Sequence, residues 1–134
     1  AVTKRDFLVI ERDQAQGAAA AFKKVFLVNL DDVDADGFLV KHEIVDLLNI
    51  ADPDDVGGLG TGVFTFPFVT IESVIPLDRR RIGVLNDNNY PGSSGRTPGE
   101  PDNNEFIVIR LAEPLPSNGQ GHGHDHDDDD DRDR

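Results

Sequence analysis

The residues best equipped for chemistry lie close together near the C-terminal side of the chain. Between Asn86 and Glu105 the sequence sets Asn86, Asp87, Asn88, Asn89, Glu100, Asp102, Asn103, Asn104 and Glu105, with one arginine, Arg96, among them. Carboxylate and amide oxygens at this density suit a hard cation such as calcium, which takes about six to eight oxygen ligands. The guanidinium fork of Arg96 suits an anion gripped at two points. Glu11 and Glu72 are further candidate oxygen donors. Glu11 closes the apolar run Phe7–Glu11, where a strand-end salt bridge competes with cation ligation by Glu11 or Asp13. Glu72 stands among apolar neighbours in Thr70–Val74, as an outward-facing strand residue or as a buried carboxylate needing a cation or arginine.

A second acidic group matches a known pattern. Asp32, Asp34, Asp36, Gly37 and Glu43 fall at the ligand and turn positions of the EF-hand calcium loop. The surroundings oppose an EF-hand. Val25–Leu30 is a nearly continuous apolar run rich in β-formers where an incoming helix belongs, and Asp31 stands where an apolar residue would pack. An EF-hand, a calcium-binding turn without its helices and an acidic solvated loop all remain open, the last being favoured.

The elements that must position these groups read as strands. Phe7–Glu11 and Val25–Leu30 form a plausible antiparallel pair across a loop at Gln14–Ala21, which has room for one helical turn. Phe38–Leu48 is ambiguous between strand and helix, and Ile50–Gly62 reads as a turn-rich connector. Val63–Val69 alternates so that Phe64, Phe66 and Phe68 share a core-facing side, with Pro67 marking an irregularity. Ile82–Leu85 and Phe106–Leu111 bracket the oxygen-rich loop. Loops longer than about 12–15 residues are usually functional or disordered, and the flanking strands favour an ordered, working loop.

Composition narrows the function. A net charge of −13 opposes nucleic-acid binding, which needs clustered Lys and Arg. The absence of cysteine removes disulfides, thiolate zinc sites and cysteine nucleophiles. No apolar run reaches the roughly 18 residues of a membrane span, and Ala1–Asp6 is not a signal peptide. No GxSxG elbow, HExxH pair or P-loop is present. Ser73, Ser93 and Ser94 lack a convincingly placed histidine, and the lone His42 reads as structural or exposed. Residues 1–118 form the domain, and 119–134 form a His/Asp-rich tail too polar to offset its ordering entropy, hence expected to be disordered. In that tail His122, His124 and His126 could bind zinc, copper or nickel weakly, although a solvated tail is the favoured reading.

IESV (Ile71–Val74), VLNDNNYP (Val84–Pro91), the Gly95–Arg96 pair and PDNNEFIVIRL (Pro101–Leu111) together resemble the C-terminal part of the phytase-like, esterase-like family of secreted bacterial proteins. FLVIERD (Phe7–Asp13), KKVFLVNL (Lys23–Leu30) and the lysine of VKHEIVDLLNIADP (Val40–Pro53) fit the same pattern in the same order, so the resemblance spans most of residues 6–115. It implies an all-β chain of antiparallel strands forming the C-terminal blades of a β-propeller, roughly two blades at about four strands each. Family members are much longer, so the chain is expected to be a part. Its exposed edges then require the missing N-terminal part of the propeller or another copy of the chain. An export signal would lie on the missing sequence, making the protein secreted or periplasmic.

The resemblance further implies hydrolysis of a small phosphoester or ester, with calcium clamping substrate oxygens and activating water. On that reading Glu72, Asp87 and Arg96 are catalytic, and Lys41, Arg96 and Asn88 bind substrate. Glu11, Glu72, Asp87, Asp102 and Glu105 are then the metal ligands, and Glu72 is the buried ligand rather than an outward-facing residue. The alternative is a non-catalytic calcium module built on Asp32, Asp34, Asp36 and Glu43.

Overall fold

The computed structural model describes residues 1–117. The expectations for 119–134, including His122, His124 and His126, lie outside the described residues. The chain is all-β, with antiparallel pairing throughout and one 3-10 turn, Gly17–Ala19. Strands β1 (Asp6–Arg12), β2 (Lys23–Val33) and β3 (Leu39–Asp46) form one sheet in that order. β4 (Ile50–Ala51) and β5 (Val63–Phe64) make a two-stranded ribbon, and β6 (Thr70–Pro76), β7 (Arg81–Asp87) and β8 (Phe106–Arg110) form a second three-stranded sheet. The sheets are not closed on themselves.

The strands follow the apolar runs because β-branched side chains pack well on a pleated surface. β1 lies alongside β6, which brings the two larger sheets together over one core. Val25 of β2, Ile71 of β6, Ile82 and Val84 of β7 and Ile109 of β8 are buried there, with Leu8 and Ile10 of β1 packed against them. Phe66 and Phe68 are buried and meet edge to face, with ring centroids 4.8 Å apart. Each contributes about 1.5–3 kcal/mol by leaving water.

Four local expectations are revised. Phe38–Leu48 resolves to strand over Leu39–Asp46. Val63–Val69 is strand only at Val63–Phe64; beyond it Pro67 has no N–H for a ladder, and the chain is held by single backbone bonds, from the Phe66 N–H to the Leu47 carbonyl and from the Gly17 N–H to the Pro67 carbonyl. The connector hides the two-residue strand β4, too short for periodicity to register. β1 is half-buried rather than enclosed on both faces.

Candidate functional site

The loop from Asn86 to Glu105 is folded around its own polar groups. Buried Asn86, near the end of β7, accepts from the Glu105 N–H (2.6 Å) and donates to the Asn103 carbonyl (3.0 Å), clipping the two ends of the loop together. Buried Asp102 accepts from the Gly95 and Arg96 N–H groups at 2.8 and 2.9 Å. Gly95 is required there, since a Cβ would lie 2.7 Å from the Pro67 carbonyl oxygen. Arg96 forms a two-point pair with Glu105 (Nε–Oε1 2.8 Å, Nη2–Oε2 2.6 Å) and donates from Nη1 to the Thr65 carbonyl at 3.0 Å. Its guanidinium carbon lies 5.0 and 5.2 Å from the ring centroids of Phe64 and Phe68.

This geometry changes the part played by three sequence candidates. Arg96, Asp102 and Glu105 hold the loop to the core, with their strongest hydrogen-bonding capacity committed inside the protein. Arg96→Lys is expected to lower stability by about 1–3 kcal/mol, because an ammonium cannot bond Glu105 at two points. The urea midpoint reads it, and an unchanged midpoint would show the clamp to be incidental.

The acids at the end of β1 also find basic partners. Glu11 pairs with Lys41 at 2.6 Å, and the Lys41 ammonium stands 5.1 Å from the Phe26 ring centroid. Asp13 pairs with Lys23 at 2.7 Å. Lys23 is wholly buried, and its ammonium also donates to the Asp13 and Ala15 carbonyls, each at 2.8 Å. The Lys23 ammonium, followed by the Ala21 N–H, holds the Asp13 carboxyl well below the usual carboxylate range. The strand-end salt bridge is thus the arrangement present, where cation ligation by Glu11 was the competing expectation.

The EF-hand pattern is written on a β-hairpin. Asp32 lies in β2 and Glu43 in β3, so no helix flanks the loop. Asp34 accepts from the Asp36 and Phe38 N–H groups at 3.0 and 2.9 Å, shaping the turn. Glu43 pairs with Lys24 at 2.6 Å, and Asp32 faces His42 at 3.2 Å. The twelve-residue spacing therefore spans two strands of a ladder instead of wrapping one ion.

Glu72 and Asp87 are arranged differently. Ile71 pairs with Asn86 and Ser73 with Leu85, so Glu72 is the extra residue of a β-bulge. That places it in solvent, correcting the buried position expected of it. Asp87 is likewise exposed, and among the described residues its carboxylate accepts only from the Asn89 N–H, at 3.0 Å. Neither carboxylate has an ion-pair partner among the described residues. Together with Ser73, Asn86 and Asn104 they line one shallow groove of about 220 Å³. Beyond Glu72 and Ser73 a second groove runs between β1 and β6, and Arg12 lines it.

Among the described residues no three His, Asp or Glu side chains converge as a metal cluster. The groove offers two carboxylates, Glu72 and Asp87, with the Ser73 hydroxyl and the Asn86 and Asn104 amides beside them, fewer charged oxygen donors than an all-protein calcium cage. Lys23 and Arg12 were the residues that sequence reasoning passed over. For Arg12 the signal lay in the alternation Leu8, Ile10, Arg12, which carries an apolar row out to a charge.

The chain is thus an antiparallel β protein in which exposed Glu72, at a strand bulge, and exposed Asp87, at the end of β7, have no ion-pair partner among the described residues. The family model for phytase-like proteins, described as esterase-like activity of phytase, matches residues 1–90, and the chain belongs to that family. The match takes in Glu11, Lys41, Glu72, Asp87 and Asn88 and ends before Arg96, Asp102 and Glu105. Neither a curated protein nor a solved structure matches the chain. Among the described residues no helix is long and apolar enough to cross a membrane.

Proposed function

We propose that the chain forms the C-terminal blades of a β-propeller in a secreted or periplasmic phytase-like hydrolase that cleaves small phosphoester or ester substrates with calcium. Family membership supports the reaction class; the two antiparallel sheets lie side by side, each with three strands against the four of a full blade, so the blade reading rests on the family resemblance. The observation that carries the site is the groove in which Glu72 and Asp87 keep their carboxylates free of basic partners. These two residues hold the cation, with water completing its shell. Bound calcium supplies charge neutralisation for phosphate oxygens and a more acidic water. The side-chain oxygen of Asn88 accepts from the Tyr90 N–H at 3.3 Å, which leaves its amide hydrogens for a substrate oxygen.

The test is calorimetric titration of the chain with calcium, beside hydrolysis of p-nitrophenyl phosphate and p-nitrophenyl acetate. Calcium binding is expected to survive the double substitution Asp32→Ala with Glu43→Gln, whose wild-type side chains already face His42 and Lys24. Binding that disappears in this variant moves the cation to the hairpin and removes the hydrolase site. Failure of calcium to stimulate either hydrolysis rejects the reaction class.

A further inference from the structure

The candidates for anion recognition named from sequence, Arg96 and Lys41, are both occupied by glutamates. Lys23, Lys24 and Arg81 also hold carboxylates, and Arg79 and Arg80 donate to the carbonyls of Leu115 and Ala112. The side chains of Lys4, Arg12 and Arg110 make no ion pair or hydrogen bond among the described residues, and of these three only Arg12 is half-buried, the other two being exposed.

Its position is built by the sheet. Arg12 is the last residue of β1 and lies opposite Lys23 of β2. Alternation puts it in one row with Leu8 and Ile10, and all three line the groove against β6. Directly opposed residues share a face of the sheet, so the guanidinium emerges on the side where Lys23 is buried. Asp13 already pairs with Lys23, and Arg12 has no ion-pair partner within 4.0 Å among the described residues. The far wall of this groove is the β6 stretch from Ile71 to Ile75, and its Glu72 and Ser73 also line the Glu72–Asp87 groove.

We infer that Arg12 is the anion-recognition residue of this site, receiving a compact oxyanion of the substrate in the groove between β1 and β6, beside Glu72. The inference rests on the hydrolase reading for its biological meaning, but the binding itself is separable from calcium and from turnover. A guanidinium fork matches either a phosphate or a carboxylate, and the two ligands are distinguished by separate titrations.

The experiment is calorimetric titration of the full chain, without calcium, with inorganic phosphate and separately with acetate. The wild-type chain is expected to bind at least one of them. Arg12→Met should weaken that binding about tenfold or more, the scale of hydrogen bonds to a charged group. Arg12→Lys should restore part of the affinity, since it keeps the charge and loses the fork. Arg110→Met removes the same charge from β8 and should leave affinity unchanged. Phosphate binding alone assigns a phosphoester, and acetate binding alone assigns a carboxylate. No binding of either ion, or equal losses in Arg12→Met and Arg110→Met, overturns the assignment. If Arg12→Met does not fold, wild-type affinity in Arg12→Lys overturns the requirement for the fork. Phosphate binding at Arg12 without calcium-stimulated hydrolysis would leave this inference standing while the hydrolase reading fell.

Discussion

On the proposed function, Glu72→Gln is expected to lower calcium-stimulated hydrolysis by about a hundredfold or more, the scale on which a group that stabilises developing charge is felt when removed. The same loss is expected of Asp87→Asn. Both changes are chosen to leave the structure alone. Glu72 is exposed and without an ion-pair partner among the described residues, so the amide replaces the carboxylate in water. Asp87 accepts from the Asn89 N–H, and an asparagine oxygen can accept in its place. Rates are to be read with urea midpoints from the same preparations. Wild-type rates in both variants would remove the pair from the site. A fall in rate matched by a fall in midpoint would mean that the groove had been disturbed rather than disarmed.

Lys23→Met carries the largest expected loss of stability. Methionine fills much of the volume of the lysine stem but donates nothing. The Asp13 and Ala15 carbonyls would then lack the donor they now share, at about 1–3 kcal/mol for each unsatisfied acceptor. Asp13 would also lose its ammonium partner. The wild-type pair has a pH signature. Because the folded chain holds the Asp13 carboxyl below its ordinary value of 3.8, its contribution is complete above that value and fades as pH falls below it. Urea midpoints measured from pH 6 down to pH 2.5 should therefore fall less steeply in Asp13→Asn, which has no such proton to take up. Parallel curves for Asp13→Asn and wild type would show that acid sensitivity arises elsewhere. An unchanged midpoint in Lys23→Met would mean that water replaces the ammonium without loss.

The strands were legible wherever an apolar run was long enough to declare a period, as at Phe7–Glu11, Val25–Leu30, Ile82–Leu85 and Phe106–Leu111. The site was legible in residue type and only partly in arrangement. Glu11, Asp102 and Glu105 looked like ligands because carboxylates near a strand end or in a loop look alike in one dimension. Their partners Lys41, the Gly95 and Arg96 amides, and Arg96 arrive from elsewhere in the chain. Lys23 was hidden by its neighbour, since Lys23-Lys24 at the head of a strand reads as solvated charge, and only the return of the Asp13–Ala15 loop encloses one of the two. Asp32–Glu43 showed the opposite hazard. Spacing that wraps an ion when the backbone coils spreads along a ladder when the backbone is extended. The exposed position of Glu72 depends on a shift in pairing with β7, which no local pattern announces.

That shift separates the carboxylate from the fold it sits on. With Glu72 deleted, Ile71 could still face Asn86, Ser73 could still face Leu85, and Val74 could still face Val84, giving an unbroken ladder. Glu72 is thus an insertion that the architecture does not need and that interrupts regular pairing where it occurs. Lineages could discard it in one step and keep a foldable sheet, so its presence or absence among homologous chains would divide those that keep a carboxylate in this groove from those that retain only the scaffold.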